Sequence, residues 1–379
     1  MKKNWKKALA AGAAALVLTA GFNVVDMKAA EAKVNFELFD FEAHRGGRDA
    51  RPENTLVSFA YAMELGVTTL EMDMQMTKDG QLVISHNPVL SPNLTKGPDG
   101  KYVAADKYDI RTMTLAEVKQ FDVGTMNPAA GGYYDGHGKT QLSVPGTKIP
   151  TLEEVFELAN AYGNKKVIFN IETKSYVAPD ANAANSPDPA AFVAKVNEVV
   201  KKYDMEDRVT LQSFDWRTLV EMKKLNPRIT LVALTCEQPS WGPDGVYRQV
   251  NQPGASPWMA GIDIDTYNGD FVKAANECGA DIVSPYWEEL SNEMVAEAHE
   301  LGMKVVPWTV NDPKKMNMLL DMGVDGMISD KPWLLHEVLI QRGIKVAAPS
   351  VNLKSPYHTG TAIVTGETKV TKKGGDSAE

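Results

Sequence analysis

Two histidines, His44 and His86, one arginine, Arg45, one lysine, Lys174, and three carboxylates, Glu71, Asp73 and Glu172, are the residues whose types and spacing could do chemistry together. Glu71 and Asp73 stand two apart in "LEMDMQM", and Glu172 and Lys174 stand two apart in "FNIETK". A spacing of two places side chains on one face of a β-strand. Three carboxylates converging from neighbouring strands repel one another unless a cation compensates. An all-oxygen donor set suits Mg2+ or Ca2+ rather than zinc. Arg45 and Lys174 can grip phosphate oxygens, and the two histidines can act as an acid/base pair. Any one of these residues alone reads as an ordinary salt-bridged or structural group. As a set they fit the cleavage of a phosphodiester.

Such a set needs strands whose ends meet. Short β-branched runs at 37–43, 69–74, 167–171, 209–213, 230–234, 281–284, 304–308 and 326–329 predict eight strands. Between them lie helical patterns such as "TLEEVFELANAYG" and "MNMLLDMG", each closed by a glycine that signals a C-cap. Alternating β and α units imply a parallel sheet, and eight of them imply an α/β fold of the (β/α)8 barrel type. A doubly wound open sheet is the rival architecture. Barrel enzymes carry their working groups at the C-terminal ends of the strands. His44 and Arg45 follow the first predicted strand, while Gln212 and Trp308 fall at the ends of the fourth and seventh, where they are expected to contact substrate beside Arg45 and Lys174. Residues 87–149, rich in Pro, Gly, Asn and Asp, are too long for a simple crossover and are expected to form an inserted cap subdomain after the second strand.

Residues 1–32 read as a signal peptide. Lys2, Lys3, Lys6 and Lys7 precede an apolar run from Ala8 to Phe22, and Ala30-Glu31-Ala32 offers a cleavage site. The run is short of the ~20 residues that span a bilayer, so an exported protein (periplasmic or extracellular) without a stable membrane anchor is expected. Losing 1–32 would move the formal charge from −9 to −12. An acidic surface argues against nucleic acid as a partner. The domain itself should span 33–346, and 347–379 reads as a polar, disordered tail. Cys236 and Cys278 are expected to stay unpaired, and Arg48 and Arg51 to lie at the surface.

In order along the chain, "HRGGRDARPENT", "LEMDMQMTKDGQLVISH", "FNIETK", "LQSF", "VVPWTVN" and "DGMISDKP" resemble the signature blocks of the glycerophosphodiester phosphodiesterases over about residues 40–342. The resemblance implies a (β/α)8 barrel with an insertion after the second strand, and hydrolysis of small-molecule glycerophosphodiesters to an alcohol and glycerol 3-phosphate. It implies catalytic roles for His44 and His86, metal ligation by Glu71, Asp73 and Glu172, and phosphate contacts from Arg45 and Lys174. Glu53 and Asn54 are expected to take a supporting role, and Asn54 is also a candidate cap for the helix beginning at Thr55. One position departs from the family pattern: Asn87 stands where Asp is common. A lipid phosphodiesterase of the sphingomyelinase D or lysophospholipase D kind, a teichoic-acid phosphodiesterase and a non-catalytic binding protein are the alternative functions.

Overall fold

The computed structural model describes residues 33–359 apart from 132, 133, 135 and 242–244, so the expected signal peptide and residues 360–379 lie outside the described residues. Among the described residues there are nine strands: β1 (Asp40–Ala43), β2 (Thr69–Met76), β3 (Leu82–Ile84), β4 (Ile168–Thr173), β5 (Val209–Ser213), β6 (Thr230–Thr235), β7 (Ile282–Pro285), β8 (Lys304–Val305) and β9 (Gly326–Ser329). Eight run parallel in the order β8-β7-β6-β5-β4-β2-β1-β9, while β3 folds back antiparallel on the far end of β2. Asp325 N–H donates to Val305 O (2.9 Å) and Ile328 N–H to Pro307 O (3.0 Å). These bonds join β9 to the β8 segment, so the ring closes as a barrel and an open doubly wound sheet is excluded.

Helices α1 (Leu56–Leu65), α2 (Leu115–Val118), α3 (Leu152–Ala161), α4 (Pro189–Lys202), α5 (Trp216–Leu225), α6 (Phe271–Cys278), α7 (Asn292–Glu300), α8 (Pro313–Met322) and α9 (Pro332–Gln341) follow in chain order. All but the short α2 belong to the β/α alternation. The stretch "TLEEVFELANA" forms α3 because Thr151 and Glu154 cap each other's backbone N–H groups. Leu152, Val155, Phe156 and Ala159 then fall on one buried stripe. That stripe meets the outward side chains of the strands, as where the Phe156 and Phe169 rings pack edge-on at 4.8 Å. Strand alternation thus sends Phe41, Leu70, Met72, Phe169 and Leu211 into the layer between strands and helices and leaves the other residues facing the lumen.

Two expectations change, at the seventh strand and in the tail. The seventh strand, expected over 304–308, is a regular ladder only at Lys304–Val305, since Pro307 has no N–H to donate. Residues 87–149 have an apolar cluster of their own, with Leu90, Val103, Ile110, Val118, Phe121 and Ile149 packed on Val83. The tail expected to be disordered from 347 is seated as far as 359. Ser350 N–H donates to Met63 O (2.9 Å), Asn352 Nδ2 to Ala161 O (2.9 Å), and His358 Nδ1 pairs with the buried Glu64 carboxylate (2.7 Å). A polar composition made this segment look unable to fold; its polar atoms are satisfied by α1 and α3 instead. Cys236 and Cys278 are buried and unpaired, and no helix among the described residues is long and apolar enough to cross a membrane.

Candidate active site

The first βα turn builds one corner of the site. After β1 the chain makes a tight turn in which Arg45 and Gly46 take φ of +51° and +79°, and a side chain at Gly46 would collide with Ser58. The turn aims Arg45 N–H at Glu71 Oε2 (2.8 Å) and sends the guanidinium to Glu53 (2.8 Å) and Asp73 (3.3 Å). Thr55, not Asn54, caps α1, with Ser58 completing the reciprocal pair. Asn54 has φ +56° and gives its side chain to Asp73 instead: Nδ2 donates to Oδ2 (2.9 Å) and Oδ1 accepts from Asp73 N–H (3.3 Å). Arg48 and Arg51, expected at the surface, are buried. Arg48 lies 2.9 Å from Glu53 and 3.9 Å from Asp330, and Arg51 covers the Tyr61 ring. Burial works against the charge of Glu53, but Arg48 and Arg45 outweigh it and hold its carboxyl below the usual range. The arginines are inside because this carboxylate is.

Glu71, Asp73 and Glu172 converge from β2 and β4, each offering a carboxylate oxygen within 4.8 Å of the others. Each acid is held from the side. Gln212 Nε2 donates to Glu71 Oε1 (2.7 Å), and Lys174 Nζ reaches Glu172 (2.9 Å) and Asp73 (3.8 Å). Burial, with the charges of Asp73 and Glu172, pushes the Glu71 carboxyl well above its usual range, and burial brings Glu172 up to about 7. Burial opposes the Asp73 charge too, but His86, Arg45 and Lys174 hold it well below. Asp73 Oδ1 is buried and makes no hydrogen bond. Two acids reluctant to ionise and an unsatisfied buried oxygen fit the site of a hard divalent cation.

The histidines face this cluster across a cavity of about 90 Å3 that Arg45, Gln212, Phe214 and Trp308 also line. His44 Nδ1 lies 2.5 Å from Asp330 Oδ1, and Asn311 Nδ2 holds the other oxygen (2.7 Å). His86 Nδ1 lies 2.7 Å from Asn87 Oδ1. An acceptor at each Nδ1 assigns the proton there and leaves Nε2 with its lone pair. Burial lowers both imidazole pKa values; Asp330 opposes this for His44, whereas Arg45 and Lys174 reinforce it for His86. Burial opposes the Lys174 charge, but Glu172 and Asp73 hold its pKa well above the usual value.

All the residues singled out in the sequence lie here, in unequal positions. Gln212, expected to touch substrate, binds Glu71 and accepts from Asn170 Nδ2 (3.1 Å). Trp308 donates its indole N–H to Ser284 O (2.9 Å) and shows the cavity only its ring. Glu53 stands behind Arg45, away from the inner cavity. Asp330 and Asn311 went unnoticed, although Asp330 directly follows β9 and the strand-end rule points to it. His137 also lies close by, 3.2 Å from Asp49 and 4.0 Å from Asp330.

Acids on one side, imidazoles on two partners and cations between them, all at the C-terminal mouth of a closed (β/α)8 barrel, define a hydrolase of phosphoric diesters. A family model described as the glycerophosphoryl diester phosphodiesterase family matches residues 44–334, and the chain belongs to that family. A glycerophosphodiester phosphodiesterase from Caldanaerobacter subterraneus subsp. tengcongensis is 29% identical over 79% of this chain and 97% of its own. One from Bacillus subtilis is 30% identical over 78% of this chain and 85% of its own. The crystal structure of a putative member from Silicibacter pomeroyi superposes with a TM-score of 0.69 at 30% identity, covering 83% of this chain and 97% of that one.

Proposed function

We propose that this chain hydrolyses glycerophosphodiesters to an alcohol and glycerol 3-phosphate, with His44 and His86 moving the protons and a Ca2+ or Mg2+ ion held by Glu71, Asp73 and Glu172. The observation that carries the reading is the meeting of three carboxylate oxygens and two Nδ1-anchored imidazoles in one cavity. The ion would supply Lewis-acid polarisation of a phosphoryl oxygen and offset the mutual repulsion of the acids. Arg45 and Lys174 would bind the other phosphate oxygens and orient the diester. One imidazole takes the proton of the attacking oxygen, either water or the substrate's neighbouring hydroxyl. The other must enter the step as an imidazolium, protonated at Nε2 as well as Nδ1, and gives that Nε2 proton to the departing alcohol oxygen. Residues 87–149 would serve as a cap: Asn87–Pro92 and Ala105–Asp106 border the mouth from that side. The basic and apolar start of the sequence supports export.

Chelation with EDTA should abolish release of glycerol 3-phosphate from glycerophosphocholine and lower the melting temperature; Ca2+ or Mg2+ should restore both. A bound ion at about 100 times its dissociation constant contributes about 2.7 kcal/mol. Unchanged activity and unchanged melting in EDTA would remove the ion from the reading. A transient cyclic phosphate in the phosphorus spectrum marks attack by the neighbouring hydroxyl, and its absence marks attack by water.

A further inference from the structure

Above the inner cavity the mouth widens to about 760 Å3, and one of its walls is made of aromatic rings. Tyr247, Phe214, Trp308, Tyr286 and Trp241 follow one another with centroids 4.1, 5.4, 5.6 and 4.7 Å apart. Two members of this row reach the reaction centre: Phe214 and Trp308 line both spaces, and Lys174 Nζ stands 6.0 Å from the Phe214 ring. The outer end is Trp241, 47% exposed. A diester whose phosphate is held by Arg45 and Lys174 therefore projects its outer substituent along the rings.

The charges around the mouth indicate what that substituent is. Beyond Arg45 and Lys174 on the floor, the charged side chains bordering the mouth are Asp106, Asp180 and Asp330. Asp330 is committed to His44 and Asn311. Arg111, which lies over the Tyr176 ring beside the mouth, is paired by two bonds to Asp109 (2.9 and 2.7 Å). The surroundings are π-rich and negative.

We propose that this aromatic wall is the subsite for the leaving alcohol and that it selects an alcohol bearing a quaternary ammonium group. The proposal rests on the hydrolytic reading above. A quaternary ammonium asks for no hydrogen-bond donor or acceptor, is weakly hydrated, and is attracted to aromatic faces. A polyol would leave hydroxyls unpaired against the rings, at a cost for each. A hydrocarbon chain gains from the rings but nothing from Asp106 and Asp180.

The test compares two diesters of one shape, glycerophosphocholine and its 3,3-dimethylbutyl analogue, in which carbon replaces the charged nitrogen. Wild-type kcat/KM should favour the charged ester by about tenfold. In Trp241→Leu and Tyr286→Leu, which keep apolar bulk but lose the π face, that ratio should fall toward one. Choline should also quench tryptophan fluorescence at lower concentration than 3,3-dimethylbutanol does. A wild-type ratio near one, a ratio untouched by both substitutions, or equal binding of the two alcohols overturns the subsite while leaving the hydrolytic reading intact. If no glycerophosphodiester is cleaved, the hydrolytic reading fails, and the fluorescence comparison decides the wall on its own.

Discussion

The lumen of the barrel has two halves with opposite chemistry. On β1, β2, β4 and β5 the inner face is mostly polar and includes Asp40, Glu42, Thr69, Glu71, Asp73, Asn170, Glu172, Thr210 and Gln212, all buried. On β6 to β9 and the turn after β8 they include Val232, Ile282, Val306 and Ile328, which pack into a small cluster with Phe36 and Trp308 against it. The polar half is a hydrogen-bonded ladder. Asn170 Nδ2 donates to Glu42 (2.8 Å) and to Gln212 Oε1, its Oδ1 accepts from Thr210 (2.8 Å), and Gln212 passes the chain on to Glu71. The apolar half has few polar side chains, and these are satisfied by backbone: Ser284 Oγ donates to Val306 O and Thr230 Oγ1 accepts from Val34 N–H (3.1 Å). Buried polar atoms are tolerated where each has a partner, so the ladder exists to carry the acids at its top. The apolar half supplies close packing and, at its mouth, much of the aromatic wall.

Experiments can break each half in turn. The largest effect is expected at the top of the barrel. His44→Ala should cut turnover by about 10²–10⁴-fold, the usual range for an acid/base group, with the fold intact by circular dichroism. Near-normal turnover would remove His44 from proton transfer.

At the base of the polar half, burial pushes the Asp40 carboxyl from 3.8 up to about 6, and the neighbouring Glu42 is pushed well above its usual range too. A folded-state pKa above the unfolded one means that the fold holds the proton more tightly. Stability is therefore lost as pH rises from about 4 to about 6. Asp40→Asn, which cannot ionise, should gain on the wild type across that window, by at most about 3 kcal/mol. Urea unfolding at pH 4.5 and pH 8 measures it, and an equal difference at both pH values would refute it.

Smaller effects sharpen the contrast between the halves. Asn170→Ala strands Glu42, Gln212 and Thr210 together and should cost about 2–3 kcal/mol. It should also lower activity, since Gln212 loses a neighbour that holds it on Glu71. Ile282→Val in the other half should cost about 1 kcal/mol and leave activity alone. Paired unfolding curves and rates on one diester decide both, and equal costs would mean that the two halves are energetically alike.

Much of this was legible in the amino-acid order, and for a reason. Strand periodicity is local, so the two-residue spacing of Glu71 with Asp73 and of Glu172 with Lys174 already placed those groups on one face. Six of the eight barrel strands start and end within two residues of expectation, because β-branched runs bounded by turns are also local signals. What chain order could not disclose were contacts between distant residues. Arg48 and Arg51 looked like surface groups until Glu53 and Tyr61 were seen to enclose them. Asn54 looked like a helix cap until Asp73, nineteen residues on, claimed its side chain. The tail looked unfoldable until Glu64 was found waiting for His358.

The sequence by itself determined the alternation of strands and helices, the kinds of chemical group at the strand ends and their number. Only the tertiary structure decided that His44 rests on a carboxylate and His86 on an amide, which half of the lumen is dry, and that five aromatic rings stand in a row beside the site. Propensity and periodicity act over a few residues. Pairing a buried charge or stacking a ring depends on which distant segments the closed barrel brings within a few ångströms.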